Sequence, residues 1–222
     1  CVVCVIIKKN GDNRYKNSIK MKDLSNYRKS YEKSELLESN IPEDPINLFN
    51  RWFHEVEDFG GNEEVNAMTV STIGLDGFPK SRVVLLKKFN EEGFIFYTNY
   101  NSEKGKAIEL NPKVCLSFFW PSMERQVIIK GIANRTPENI SDGYFDSRPD
   151  GSKLGAIVSN QSEVVPSRAY LEENLKQLEA DYEGIVIPRP KHWGGFLVTP
   201  IEVEFWQGRP NRLHDRIRFI AQ

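Results

Sequence analysis

Alternation of apolar and polar side chains dominates the middle of the chain. Ala67–Ile73, 81–88, Gly93–Asn99, Lys113–Trp120 and Arg125–Arg135 repeat with a period near two or run apolar between turn residues, which predicts strands. Asp76-Gly77 ahead of Pro79, Asn90-Glu91-Glu92-Gly93 and Pro121-Ser122 supply the turns between them. Upstream the period lengthens: Ile46, Phe49, Trp52, Phe53 and Val56 recur at helical spacing. Residues 45–58 are therefore a predicted amphipathic helix, with Asp44 as N-cap, Pro45 in the first turn and Gly60-Gly61 as the stop. Ser102 caps a second helix over 102–111, which must end before Pro112. A helix from Thr136-Pro137-Glu138 to about 147, a short helical or irregular stretch over 151–160 and a polar, leucine-spaced helix over 166–182 follow. Strands are predicted again at 195–200 and 201–207, and another begins at 216–220. Closely spaced strands with a few interposed helices predict a mainly antiparallel β fold, a small barrel with peripheral helices, as one domain over 45–222. Residues 1–44 carry no such period until Tyr27–Tyr31 and read as a mobile N-terminal arm with one short helix.

Composition narrows the function classes. The 222 residues carry thirty basic and thirty-one acidic side chains, a net charge of −1, which gives a general nucleic-acid or membrane-surface role no support. Cys1 and Cys4 have C-x-x-C spacing but no second pair to complete a zinc site, and with Cys115 they fit a cytoplasmic protein with reduced thiols. The apolar run 1–7 is too short to span a membrane, and its lysines follow it, the wrong order for a secretory signal. Met21 is a plausible start, which would make 1–20 an upstream extension.

Candidate chemistry gathers at chain breaks. Phe205-Trp206-Gln207-Gly208-Arg209-Pro210-Asn211-Arg212-Leu213-His214-Asp215-Arg216 packs aromatics, arginines and a histidine around a turn. Arg212 and His214, two apart, share a face if the chain is extended, and would suit an anionic substrate. The competing reading is a solvated hairpin end whose arginines pair with Glu202 and Glu204, and the local sequence leaves the two at even odds. On the strand from Arg82 to Lys87, a cation at each end can grip a phosphate and a ring from one element. Lys104 and Lys106 stand in the first turn of a helix, where cations are unfavourable unless an anion is bound. Gln126 can hydrogen-bond a heteroaromatic edge. Tyr144, Arg148 and Ser152 offer two hydroxyls and a fork, and Gln161-Ser162 add polar groups in a loop. The chain has no dinucleotide fingerprint, phosphate-binding P-loop or nucleophile elbow. Of His54, His192 and His214, histidine chemistry would rest on His214.

Taken in order, R-V-V-L-L-K (82–87), F-Y-T-N (96–99), E-R-Q-V (124–127), Y-F-D-S-R-P (144–149), Q-S (161–162), W-G-G-F (193–196) and F-W-Q-G…N-R-L-H-D-R (205–216) resemble the pyridoxine/pyridoxamine 5′-phosphate oxidase family. The match runs from about Arg28 to Arg216. It implies an FMN-binding split β-barrel, Greek-key-like, forming a homodimer with flavin in clefts built by both subunits. By that match Arg82, Val83, Val84, Leu85, Leu86, Lys87, Tyr97, Thr98, Lys104, Gln126, Gln161, Ser162, Trp206 and Arg216 would hold FMN. Lys87, Tyr144, Arg148 and Ser152 would hold the phosphate and ring of a small phosphorylated pyridine. Arg212, Leu213 and His214 would lie over that ring, with Arg212 and His214 in the catalytic position, and Arg28 and Tyr31 would form a lid. The implied reaction gives pyridoxal 5′-phosphate with O2 as acceptor, with no metal, nucleic acid or membrane involved.

Two departures from the family pattern carry expectations. Glu103 stands where the family usually has an arginine, which predicts weaker FMN binding. The chain stops at Gln222, before a further strand and tail of the family, which reads as C-terminal truncation. Rival readings are a non-catalytic or differently specific flavin- or haem-binding split barrel, and a small barrel for single-stranded nucleic acid.

Overall fold

A computed structural model describes residues 21–61 and 64–221. The expected upstream extension over 1–20 lies outside the described residues. Helices are α1 (Pro45–Phe59), α2 (Glu103–Leu110), α3 (Glu138–Asp146), α4 (Asp150–Val158) and α5 (Arg168–Asp181). Strands are β1 (Ala67–Ile73), β2 (Pro79–Asn90), β3 (Gly93–Asn99), β4 (Lys113–Trp120), β5 (Arg125–Arg135), β6 (Trp193–Gln207) and β7 (Asp215–Ile220). No helix among the described residues is long and apolar enough to cross a membrane.

Strand order is β3-β2-β1-β4-β5-β6-β7, and β3 also pairs with β6. That extra pairing closes six strands into an antiparallel barrel and leaves β7 as a flap on the far end of β6. The split follows from the length of β6: Trp193 to Val198 pair with β3, whereas Glu202 to Gln207 pair with β7. The sequence reading placed two strands here, and the structure corrects this to one continuous strand. Gly131 faces Pro200 and Lys130 faces Glu202, so Ile201 is an extra residue, a bulge that bends the strand without ending it. A second bulge makes Lys87 the extra residue on β2, between the Leu86–Phe96 and Lys88–Ile95 pairs. The stretch left open at 151–160 is helical, as α4. The α3 helix begins behind Pro137 without a side-chain cap, because the Thr136 hydroxyl is buried against Ser141 and the Gly195 carbonyl instead.

The sequence signals that set the helix ends are satisfied by direct contacts. Asp44 accepts from the Ile46 N–H, and Ser102 from the Gly105 N–H. Left-handed Gly60 closes α1. The buried stripe of α1 plugs one side of the barrel: Phe49 is fully buried, with ring centroids 5.0 Å from Phe89 and Phe94 and 5.1 Å from Phe118. Truncating such a ring costs about 3–5 kcal/mol. A smaller core of Phe145, Leu154, Ile187 and Trp193 lies beneath α3, α4 and α5. The arm runs extended over the barrel apart from a short 3-10 turn at Glu38–Asn40, with Leu36 buried.

Candidate active site

The candidate residues fall into two groups. The first is built from β2, β3, the start of α2 and the α3–α4 region. Arg82 points inward from β2 and donates to the Thr72 hydroxyl at 2.8 Å and the Lys80 carbonyl at 2.7 Å. Lys104, in the first turn of α2, is only 8% exposed and donates to Thr98 Oγ1 at 3.0 Å and Gln161 Oε1 at 2.6 Å. Burial pushes the Lys104 ammonium down to about 8, and Arg82 pushes the same way against the pull of Glu103. Burial also lowers the Arg82 guanidinium, again with Glu103 opposing. Glu103 itself turns to the surface, where its carboxylate takes a 2.5 Å bond from Lys80. Arg82 is thus close enough to Lys104, at the N-terminal end of α2, to disfavour its charge, and Arg82 Nη2 is buried without a partner.

Next to it the side chains of Tyr97, Tyr144 and Trp193 stack. Tyr97 lies 4.0 Å from Tyr144 and 5.5 Å from Trp193 between ring centroids. The Arg148 guanidinium covers Trp193 at 4.7 Å, and its Nη1 is a second buried nitrogen without a partner. Burial lowers Arg148 and raises the Tyr97 phenol. Arg148, Ser152 and Gln161 line one cavity of about 300 Å³ with Trp193. Gly194 is needed in W-G-G-F because a Cβ there would stand 2.2 Å from the Tyr100 hydroxyl. On β2, Leu86 is buried in the core and Val84 packs against it, whereas Val83 is 70% exposed on the outer face. Leu85 is half-buried and Lys87 exposed. Ser162 is exposed, with a left-handed φ of 75°.

The second group sits across β5, β6 and β7. Gln126 pairs with Trp206, and Trp206 with Arg216, so the three form one row across three strands on the outer face. Arg216 is also 3.6 Å from Glu204. The ion-paired reading therefore holds for Arg216, while Glu202 pairs with Lys130 instead. The premise that Arg212 and His214 share an extended face is corrected: Asn211 and Arg212 take φ of 55° and 62° in a 3-10 turn, Pro210–Arg212. The turn, not strand alternation, brings both to one cavity of about 520 Å³, shared with Arg28, Tyr31 and Arg209. Leu213 points away, 77% exposed. His214 Nδ1 accepts the Arg209 N–H at 3.0 Å, so the neutral ring carries its proton on Nε2. Trp206 lies 4.7 Å from His214, and Tyr31 lies 5.8 Å from both.

The residues present fit a flavin mononucleotide in chemistry. The buried Lys104 ammonium and the half-buried Arg82 guanidinium with its unsatisfied nitrogen suit its phosphate, and the Gln126–Trp206 pair offers a hydrogen-bonding edge and a ring face to its heterocycle. The sequence reading left Trp193 without a role. Its place in a glycine-flanked motif was the available signal.

Comparison with known proteins agrees with this geometry. Residues 54–180 match the family described as pyridoxamine 5′-phosphate oxidase, and 193–222 match the pyridoxine 5′-phosphate oxidase C-terminal dimerisation region. A pyridoxine/pyridoxamine 5′-phosphate oxidase of Flavobacterium johnsoniae is 84% identical over 202 residues, 91% of this chain and 94% of that protein. Its namesake in Flavobacterium psychrophilum is 77% identical over 199 residues, 90% and 93% of the two chains. Among solved structures, PhzG from Burkholderia lata 383 in complex with tetrahydrophenazine-1-carboxylic acid superposes with a TM-score of 0.80 at 27% identity, covering 86% of this chain and 95% of that one. Identity this high over nearly the whole length leaves one assignment: the chain belongs to the pyridoxine/pyridoxamine 5′-phosphate oxidase family of oxidoreductases, and its fold is that family's split barrel.

Proposed function

We propose that this protein is a cytoplasmic, FMN-dependent oxidase that converts pyridoxine 5′-phosphate or pyridoxamine 5′-phosphate to pyridoxal 5′-phosphate. The observation that carries the reading is the closeness of Arg82 to Lys104. A buried ammonium beside a half-buried guanidinium with one orphaned nitrogen is unfavourable by itself and sensible around a phosphate. Arg82 to Lys87, Tyr97, Thr98, Lys104, Gln161 and Ser162 would hold FMN from one side. Gln126, Trp206 and Arg216 would hold it from the other.

One copy cannot bring those sides together. Thr98 pairs with Gly194, and Trp206 is twelve residues further along β6, roughly 40 Å of extended strand. Within the ring, β2 and β5 also stand on opposite walls. A homodimer, with the first group of each copy facing the second group of the other, completes two sites.

FMN held by these residues would supply the two-electron redox chemistry for oxidation at substrate C4′, with O2 as final acceptor, hydrogen peroxide as product and, from the amine substrate, ammonia released by water. Lys87, Tyr144, Arg148 and Ser152 grip the substrate phosphate and ring. The Arg212 fork holds the pyridine face, and the lid residues Arg28 and Tyr31 keep water out, whereas Leu213 points away from this cavity and takes no part on this copy. His214 donates from Nε2, because Nδ1 is committed to the Arg209 N–H. It therefore holds a substrate heteroatom and does not abstract a proton in its neutral form.

The test is direct. Purified protein is expected to be yellow and to release peroxide when given pyridoxine 5′-phosphate in air. Yellow protein that leaves the substrate untouched would overturn the oxidase reading in favour of a non-catalytic flavin binder.

A further inference from the structure

We infer that Glu124 is a positioning residue that clasps the N-terminal arm over the substrate side of the site, an inference that rests on the oxidase reading. Glu124 lies in the β4–β5 turn with a φ of 56°, a left-handed conformation that glycine adopts freely and glutamate does not. It is nevertheless 2% exposed. Its Oε2 accepts the backbone N–H groups of Glu32 at 2.8 Å and Lys33 at 3.0 Å, and Oε1 lies 3.3 Å from the Lys29 ammonium. Burial alone would raise this carboxyl, but the bonds from Lys33, Glu32 and Lys29 outweigh it and hold the group below its usual range. Both carboxylate oxygens thus face the arm.

The same residue reaches the substrate side through its backbone. The Glu124 carbonyl accepts the Gly208 N–H at 2.8 Å, and Gly208 is the seat of Tyr31. A Cβ on Gly208 would stand 2.7 Å from Tyr31 Cγ, so the Tyr31 side chain packs directly on the bare backbone. From that seat Tyr31 meets Trp206 and His214. Two ties downstream share the load: Asp215 accepts the Leu36 N–H at 2.9 Å, and Arg209 pairs with Glu35 at 3.0 Å. Leu36 anchors the far end of this stretch in the core while Tyr27 is 76% exposed, so between them the hydrogen bonds to Glu124 act together with the packing of Tyr31 to hold the arm. The left-handed glutamate at this turn thus has a task that glycine could not perform: its carboxylate fixes Tyr31 and Arg28 over the cavity of Arg212 and His214.

Glu124→Gly separates this role from folding, since it removes the carboxylate while relieving the backbone. In the FMN-loaded full chain, amide exchange at Glu32 and Lys33 is expected to speed up roughly tenfold or more. KM for pyridoxine 5′-phosphate should rise about tenfold, with kcat changed much less. Glu124→Gln, whose amide oxygen can replace Oε2 but which cannot attract Lys29, should recover part of the KM. Unchanged exchange at the two amides in Glu124→Gly would overturn the clasp, whatever the enzyme does. Faster exchange with an unchanged KM would overturn its link to substrate. Failure of the wild-type chain to oxidise any phosphorylated pyridine would sink the oxidase reading instead, and the exchange data would still decide the clasp.

Discussion

Around Lys104 the cations are buried or half-buried before any ligand arrives, whereas Arg212 stands in solvent on a strained turn. Lys104 is 8% exposed and held by Thr98 and Gln161, and Arg82 is fixed by Thr72. Arg212 is exposed at a φ of 62°, its neighbour Leu213 is bare, and the arm reaches the cavity of Arg212 and His214 through Tyr31. The first pocket is preorganised at the expense of apo stability. The second is finished by the arm and, on the proposed reading, by a second copy. A resident cofactor suits the former plan and an exchanging substrate the latter.

Substitutions should divide along that line. Arg82→Ala is expected to weaken FMN binding about a hundredfold, the loss of a charge-assisted pair of bonds, with the apo fold intact. Arg212→Ala should leave FMN affinity within about threefold and instead raise substrate KM and lower kcat. Fluorescence titration of apo-protein with FMN, alongside steady-state kinetics, reads both. Equal loss of FMN affinity in the two variants would erase the distinction.

The cost of preorganisation is measurable. Lys104→Met should raise the apo-protein's stability by about 1–2 kcal/mol, because it removes a buried cation with no paired carboxylate, while FMN binding is lost. Thermal unfolding without flavin checks this, and a lower Tm would contradict it. The sign of the pH effect follows from the same residue. The unfolded chain holds a proton on Lys104 up to about 10.5, but the folded apo-protein releases it near 8. Apo stability should therefore rise with pH through that window. FMN, which restores the charged form, should bind with a proton taken up above pH 8 and weaken by up to about tenfold per pH unit there. A Kd that is flat from pH 7 to 10 would refute a role for the Lys104 charge. The smallest effect is expected at Glu103. Its carboxylate is spent on Lys80 at the surface, so Glu103→Arg should tighten FMN only about threefold.

Local signals in the sequence were reliable where the chain answers to its neighbours. Asp44, Ser102 and Gly60 end helices where their chemistry says they should, and period-two runs became β1, β3, β4 and β5 within their expected bounds. Bulges defeated that logic. Ile201 adds one residue to a continuous β6, and Pro200 beside it reads as a strand break. Arg212 and His214 were paired for the wrong reason, since a two-residue spacing implies a shared face only in extended chain. Contacts such as Lys104–Gln161, 57 residues apart, and Glu124–Lys33, 91 apart, leave no periodic trace. Gln161 is legible in the sequence as part of a polar loop and of a family motif, whereas nothing in E-R-Q-V marks the task of Glu124. Its left-handed backbone is visible only in three dimensions.

The central claim is that each site takes its buried cations from one copy and its arginine–histidine turn from the other. Mixing subunits of Arg82→Ala and Arg212→Ala measures this most directly. Each parent should be nearly inactive, yet random reassociation yields hybrids with one intact site and one doubly defective site, restoring roughly a quarter of wild-type activity. A mixture no more active than the average of its parents would mean that each chain carries a whole site, and would contradict the account.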